Sequence, residues 1–177
     1  MKLDKDTLRD LVDEKLPRGQ IRAIQSGYKD PDRFDKYVEI LQERVAWPER
    51  IVLPFGEHLY VVGKKPRPSA EATDERSSSG ASSYVIKCDC GHEFCDYREN
   101  WKLEALINVR DTVEELREIY PDKMHGDPQW NVLREYFCPG CKTLLEVEAV
   151  PPGYPPVHDF VPDLEGFYEN WLDRPLP

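Results

Sequence analysis

The chain has no apolar run approaching the roughly 20 residues that span a bilayer, and its start, MKLDKDTLRDL, is too polar for a secretory signal. Glycine-rich phosphate loops of the GxGxxG or Walker type are missing, as are HExxH and GxSxG. Those gaps remove the sequence signs of a nucleotide site, a zinc-protease site and a serine-hydrolase elbow. No run of Lys and Arg is long enough to form a basic stripe, and the formal net charge is −10. A charge of that sign repels phosphate backbones, so nucleic acid is not an expected partner. The expected setting is the cytoplasm, where disulfides are rare. The five cysteines, an odd number, also do not suit a closed disulfide framework.

What is present is a 177-residue chain, 40% hydrophobic and 33% charged, long enough to bury a core. Residues 4–16 read as a short amphipathic helix with Leu8, Leu11 and Val12 on one face, ended by Pro17 and Gly19. Asp30-Pro31 reads as N-cap and first turn of a second helix, which carries Phe34, Tyr37, Val38 and Leu41 at helical spacing. Residues 51–55 and 58–62 read as a β-hairpin around Gly56. From Pro66 to Ser83 the chain has no apolar periodicity and reads as a linker or surface loop.

Beyond it, Tyr84–Cys88 reads as a strand, and so does Leu103–Val109. Thr112-Val-Glu-Glu115 is a capping-box signature for a helix reaching about Tyr120. Asp127-Pro128 reads as a further helix start, with a helix through about Arg134. Tyr136–Cys138 and Leu144–Val150 then form a hairpin. The tail from Pro151 is rich in proline and aromatics, with a short helix around Leu164–Leu172. Its Tyr154, Phe160, Phe167, Tyr168 and Trp171 must pack on the body or on a partner. Trp47, Trp101 and Trp130 are expected in the core.

The cysteines carry the chemistry. Cys88-Asp-Cys90-Gly91-His92-Glu-Phe-Cys95 ends the predicted strand, and residues two apart on a strand face one side. Cys138-Pro139-Gly140-Cys141 reads as a type II turn, with Gly supplying the positive φ. Two such pairs make a closed tetrahedral thiolate site for structural zinc, with no position left for a catalytic water. The expected ligands are Cys88, Cys90, Cys138 and Cys141. Cys95 is a substitute and His92 a weaker alternative, and iron shares the ligand preference. Lys87 and Lys142 flank the pairs and could offset their charge. Forty-seven residues separate Cys90 from Cys138, against about 15–20 in a compact ribbon. A helical insertion over roughly residues 99–135 is therefore expected. The remaining histidines His58, His125 and His158 are scattered, with His158-Asp159 the first pair to check for a role.

The reading is an α+β fold: a zinc-ribbon-like antiparallel β core with a helical N-terminal region, a helical insertion and an extended C-terminal tail. It divides into 1–65 (helices and hairpin), 66–83 (linker), 84–150 (interrupted ribbon) and 151–177 (partner-binding tail).

Five strings, in order, carry a family resemblance: YVEILQERVAWPERIVLPFG, CDCGHEFCDYRENWKL, VRDT with EIYP, REYFCPGC, and HDFVPDLEGFYENWL. The chain resembles the small (gamma) subunit of acetone carboxylase over nearly its whole length; the 66–83 segment departs by its greater length. The resemblance implies a heterohexamer with two copies each of three subunits. It implies an ATP-dependent ligase that joins acetone and bicarbonate into acetoacetate, with release of AMP and phosphate. ATP and manganese would be held by the large alpha and beta subunits, which resemble hydantoinases. The cysteines of CDCG and CPGC would hold zinc in this chain, and no catalytic residue transfers to it. The competing reading is a stand-alone zinc-ribbon adaptor between other proteins.

Overall fold

The computed structural model describes residues 2–27, 30–64, 83–121 and 124–177. Three helices come first: α1 (Lys5–Val12), α2 (Arg18–Ser26) and α3 (Arg33–Gln42). The carboxylate of Asp4 caps α1 by accepting from the Thr7 N–H at 2.7 Å. This helix stops at Val12, four residues short of the expected end, and Glu14 follows with φ 57°. Pro17 does not terminate the region; it is the N-cap of α2, a helix absent from the sequence expectation. Proline fits there because a helix start has no use for its missing N–H. Asp30 does not cap α3, which begins at Arg33 with Asp32 as N-cap. Its carboxylate instead accepts from the Leu3 N–H and pairs with Arg33 and Lys36, tying the N-terminal segment to α3.

Two antiparallel sheets follow. The first has the order β1 (Ile51–Gly56), β2 (Leu59–Lys64), β3 (Ser83–Cys88), β4 (Glu93–Asp96). The expected hairpin of β1 and β2 is present, and its turn residue with positive φ is His58 at 62°, not Gly56. Strands β2 and β3 pair over six residues, Leu59 with Cys88 through Lys64 with Ser83. The expected linker of 66–83 lies outside the described residues except for Ser83, which opens β3.

The second sheet has the order β5 (Leu106–Arg110), β6 (Val132–Phe137), β7 (Leu144–Val150). The insertion between the cysteine pairs is therefore less helical than expected. A 3₁₀ turn spans Trp101–Glu104, and α4 covers only Val113–Arg117. Both reciprocal bonds of the capping box at Thr112 and Glu115 are made. The helix expected from Asp127 to Arg134 does not form. Asp127 instead makes an Asx turn, accepting the Gln129 N–H on its side chain. The following Val132, Leu133, Tyr136 and Phe137 are strand formers, and β6 gains pairing on both edges, which outweighs the local helix signal.

The core lies between the sheets. Leu59 and Ile86 from the first meet Tyr136 and Leu145 from the second, with Trp101, Cys88 and Cys138 between them. A second cluster places Leu41 of α3 on Ile51, Tyr60, Val62 and Val85. Trp101 is 2% exposed, as expected of a core residue, whereas Trp130 is 79% exposed on the turn before β6. Trp47 is half-buried against the second cluster.

The tail closes over the molecule as a strap. The Arg134 guanidinium donates to the Tyr154 and Pro155 carbonyls, and Asn100 to that of Pro156. Phe160 stacks on Phe55. Tail helix α5 (Leu164–Gly166) continues into a π-helical turn, Phe167–Trp171. Tyr168 there is buried and donates to the Val52 carbonyl at 2.8 Å. Arg174 pairs with Asp35 of α3. Most of the tail therefore packs on the body, while Trp171 stays 80% exposed.

Under the strap lies Lys102, whose side chain is fully buried. Its ammonium meets Glu146 at 2.7 Å, Asp159 at 2.7 Å, and Glu148. Burial alone would lower the Lys102 pKa, but hydrogen bonds to Asp159, Glu146 and Glu148 outweigh it and hold the ammonium above its ordinary value. Burial raises the Glu146 carboxyl. At Glu148 burial also pushes upward, but bonds from Lys102 and Arg134 reverse it and leave that carboxyl lowered.

A group held above its unfolded pKa contributes fully below that value and loses the contribution as pH rises, so Lys102 acts in full below about pH 10. Lys102→Met should cost about 3–5 kcal/mol at pH 7, because it strands the carboxylates. The loss should shrink as pH falls and those carboxylates protonate. Urea denaturation at pH 7 and pH 4 checks both statements.

Candidate metal centre

Two hairpin turns meet at one point. The first joins β3 to β4: the Cys88 N–H donates to the His92 carbonyl and the Gly91 N–H to that of Cys88, both at 2.8 Å. Gly91 sits at φ +94°, which a side chain rarely adopts. The second turn joins β6 to β7. There the Cys138 N–H donates to the Thr143 carbonyl at 3.0 Å and the Lys142 N–H to that of Cys138 at 2.9 Å. The positive φ expected at Gly140 occurs at Lys142 instead, 64°. Gly140 serves by having no side chain: a Cβ there would lie 3.0 Å from His92 Cβ and 3.2 Å from Cys90 Sγ. That small residue lets the two turns approach.

The sulfurs of Cys88, Cys90, Cys138 and Cys141 all lie within 4.8 Å of one another. Cys88 and Cys141 are 3.9 Å apart, Cys90 and Cys138 3.7 Å. A tetrahedral ion with metal–sulfur bonds of about 2.3 Å sets its sulfurs about 3.8 Å apart. These spacings suit a shared ion, and all four cysteines are free thiols rather than disulfides. Cys88 and Cys138 are wholly buried, whereas Cys90 and Cys141 reach the surface. The centre would therefore sit at the molecular rim, one ligand pair inside and one outside.

Burial raises the Cys88 and Cys90 thiols. Cys141 is drawn down to about 6, chiefly by the Thr143 hydroxyl 3.2 Å from its sulfur.

Cys95 stands apart on β4, donating to the Glu99 carbonyl at 3.7 Å. Burial and nearby Glu99 push its thiol up to about 11. His92 is likewise outside the group; its ring packs edge-on against Phe94. Lys142 donates to the Pro139 carbonyl. Lys87 pairs with Glu49 and lies 4.8 Å over the Trp47 ring.

Residues that sequence reasoning passed over brace the first turn. Trp47 donates from Nε1 to the Asp89 carbonyl at 3.0 Å and closes against Gly91. Asp89 lies 2.5 Å from His58 Nδ1. These partners are 31 and 42 positions apart, so no local pattern reveals them. The Lys102 network was also missed, although the alternation of acids with apolar residues in LLEVEAV places Glu146 and Glu148 on one face. Asp159 belongs to that network, while His158 keeps a buried Nε2 without a hydrogen-bond partner among the described residues. Glu146, Glu148 and Asp159 also lie close enough to hold an ion, but the Lys102 ammonium fills their centre.

Fold and site together define a small mixed protein of helices and antiparallel sheets, with a four-cysteine cluster able to bind a metal ion. Residues 45–172 match the family described as acetone carboxylase gamma subunit. The chain is 47% identical over 168 residues to the acetone carboxylase gamma subunit of Xanthobacter autotrophicus, covering 95% of this chain and 92% of that one. It is 31% identical over 83 residues to the acetophenone carboxylase beta subunit of Aromatoleum aromaticum, covering 44% of this chain and 61% of that one. The chain belongs to the acetone carboxylase gamma subunit family.

The purified chain should carry one metal ion, and Cys95→Ser should carry the same amount. Cys138→Ser should lose it. Elemental analysis of the three proteins checks the assignment, and metal retained by Cys138→Ser would refute it.

Proposed function

We propose that this chain is the zinc-binding, non-catalytic small subunit of a cytoplasmic, ATP-dependent acetone carboxylase. In the assembly, a heterohexamer, the alpha and beta subunits join acetone and bicarbonate into acetoacetate. The observation that carries the reading is the sharing of four thiols between two hairpin turns, at the spacing of one tetrahedral ion, in a chain of this family.

Thiolates of Cys88, Cys90, Cys138 and Cys141 would hold the ion in an interrupted zinc ribbon. Bound zinc would supply a rigid four-way crosslink between the two sheets. With four sulfurs around it, no position remains for water or a carbonyl oxygen, so the site has no means to polarise a substrate. The buried Cys88 and Cys138 anchor the centre to the core, and Cys90 and Cys141 close it from outside. Structural zinc in small peptides contributes about 10–16 kcal/mol, comparable with the whole stability of a domain, about 5–15 kcal/mol. ATP and manganese chemistry falls to the large subunits.

Among the described residues no helix is long and apolar enough to cross a membrane. That fits a subunit working in a soluble assembly.

Coexpression with the alpha and beta subunits tests the reading. The tagged chain should retain both, and the complex should carboxylate acetone only with ATP and bicarbonate. Cys138→Ser should abolish both assembly and activity. An active alpha–beta complex unaffected by omitting this chain would refute the proposal, as would ATP hydrolysis by this chain alone.

A further inference from the structure

The second sheet carries apolar side chains on its outer face as well as on the face that joins the core. In an antiparallel sheet with one solvated face, the apolar side chains normally face the core and the polar ones face water. Here the pairing register puts Arg134, Tyr136, Glu146 and Glu148 on the face beneath the strap. Arg134 and Tyr136 both reach Glu148 there, as does Lys102. The opposite face carries Leu106, Phe137 and Leu144 as one row across all three strands; the next row is Asn108, Glu135 and Val147, where Asn108 and Arg110 donate to Glu135. Leu106 and Leu144 are each 43% exposed and Val147 49%. The row crosses two interstrand gaps, about 10 Å.

This apolar exposure is confined to one part of the molecule. Every exposed large hydrophobic residue described except Trp171 lies between Leu103 and Val161, and the three helices and the first sheet contribute none. Charge divides along the same line. Residues 1–64 hold 12 Lys and Arg against 12 Asp and Glu, whereas residues 83–177 hold 9 against 19. The part that bears the apolar face, residues 103–177, holds 6 Lys and Arg against 15 Asp and Glu, so nine of the ten excess negative charges lie there. Contiguous apolar surface of this kind marks an interaction site, and the acidic surroundings select a partner with basic residues at its rim.

We propose that the outward face of the second sheet, centred on Leu106, Phe137, Leu144 and Val147, docks a large subunit of the carboxylase through an apolar surface rimmed by Lys and Arg. This rests on the subunit reading above. The strap occupies the face of β6 and β7 that carries Arg134 and Glu148, which leaves the row of Leu106, Phe137 and Leu144 on the face turned outward.

The test uses the full chain coexpressed with its large subunits. Leu144→Glu/Val147→Glu places two carboxylates on exposed strand positions. The double variant should keep wild-type metal content and melting temperature while binding the large subunits at least 10-fold more weakly. The uncharged Val147→Ser reads the same contact should the double variant lose metal, with a loss of about 3-fold or more. Gln20→Glu on α2 should change nothing. Raising salt from 50 to 500 mM should weaken wild-type binding. Unchanged binding by the folded double variant, or by Val147→Ser where the double variant loses metal, would overturn the docking face, and salt-independent binding would overturn its basic rim. A free wild-type dimer that the double variant converts to monomer, with large-subunit binding intact, would assign the face to a second copy and also overturn the proposal. If the wild-type chain itself fails to bind, the subunit reading falls as well.

Discussion

The geometry of this molecule depends on bringing two tight turns, Cys88–His92 and Cys138–Thr143, to the same point. The turns belong to different sheets, and Cys90 is 48 positions from Cys138. The close approach needs Gly140 to be without a side chain and Gly91 to adopt a positive φ. Beneath the turns, Trp101 and Tyr136 fill the space between the sheets. Beside them, Trp47 holds the N-terminal region against the first turn. The packing thus brings the sulfurs together from both sheets, which suits an ion closing the seam rather than one recruiting loose loops.

A second constraint is electrostatic. Lys102 is surrounded by acids that come from a strand and from the tail. Buried ion networks often add little net stability compared with an apolar core of the same shape, because desolvation offsets the Coulombic gain. Their demand is geometric: each charge must find its partner, and a shifted register would leave one unpaired. At Lys102 that demand fixes the strap over the sheet and settles which face of β7 turns inward.

Much of this was legible in the chain itself. The turn residues, the capping box at Thr112 and the paired cysteines are local signals, and they mark β1, β2, β3, α4 and the convergence of the two turns. The failures are of three kinds. Pro17 and Asp30 carry helix-boundary chemistry, but proline serves a helix start as well as a stop, and Asp30 was taken by the Leu3 N–H and by Arg33 and Lys36. Asp127-Pro128 resembles a helix start, and only the two neighbouring strands decide that Val132–Phe137 is β. Lys102 looks like any surface lysine within WKLE, since its partners lie 44 to 57 positions away. What sequence cannot display is long-range pairing, and both the ion network and the bracing by Trp47 are of that kind.

The direction of those pairings is one-sided. Every carboxylate that neutralises Lys102 lies C-terminal to it, the last being Asp159. A chain cut before the strap would keep both sheets' strands but leave the buried ammonium one carboxylate short and the Arg134 guanidinium without the Tyr154 and Pro155 carbonyls. The tail is therefore part of what completes the interior, not an appendage to it.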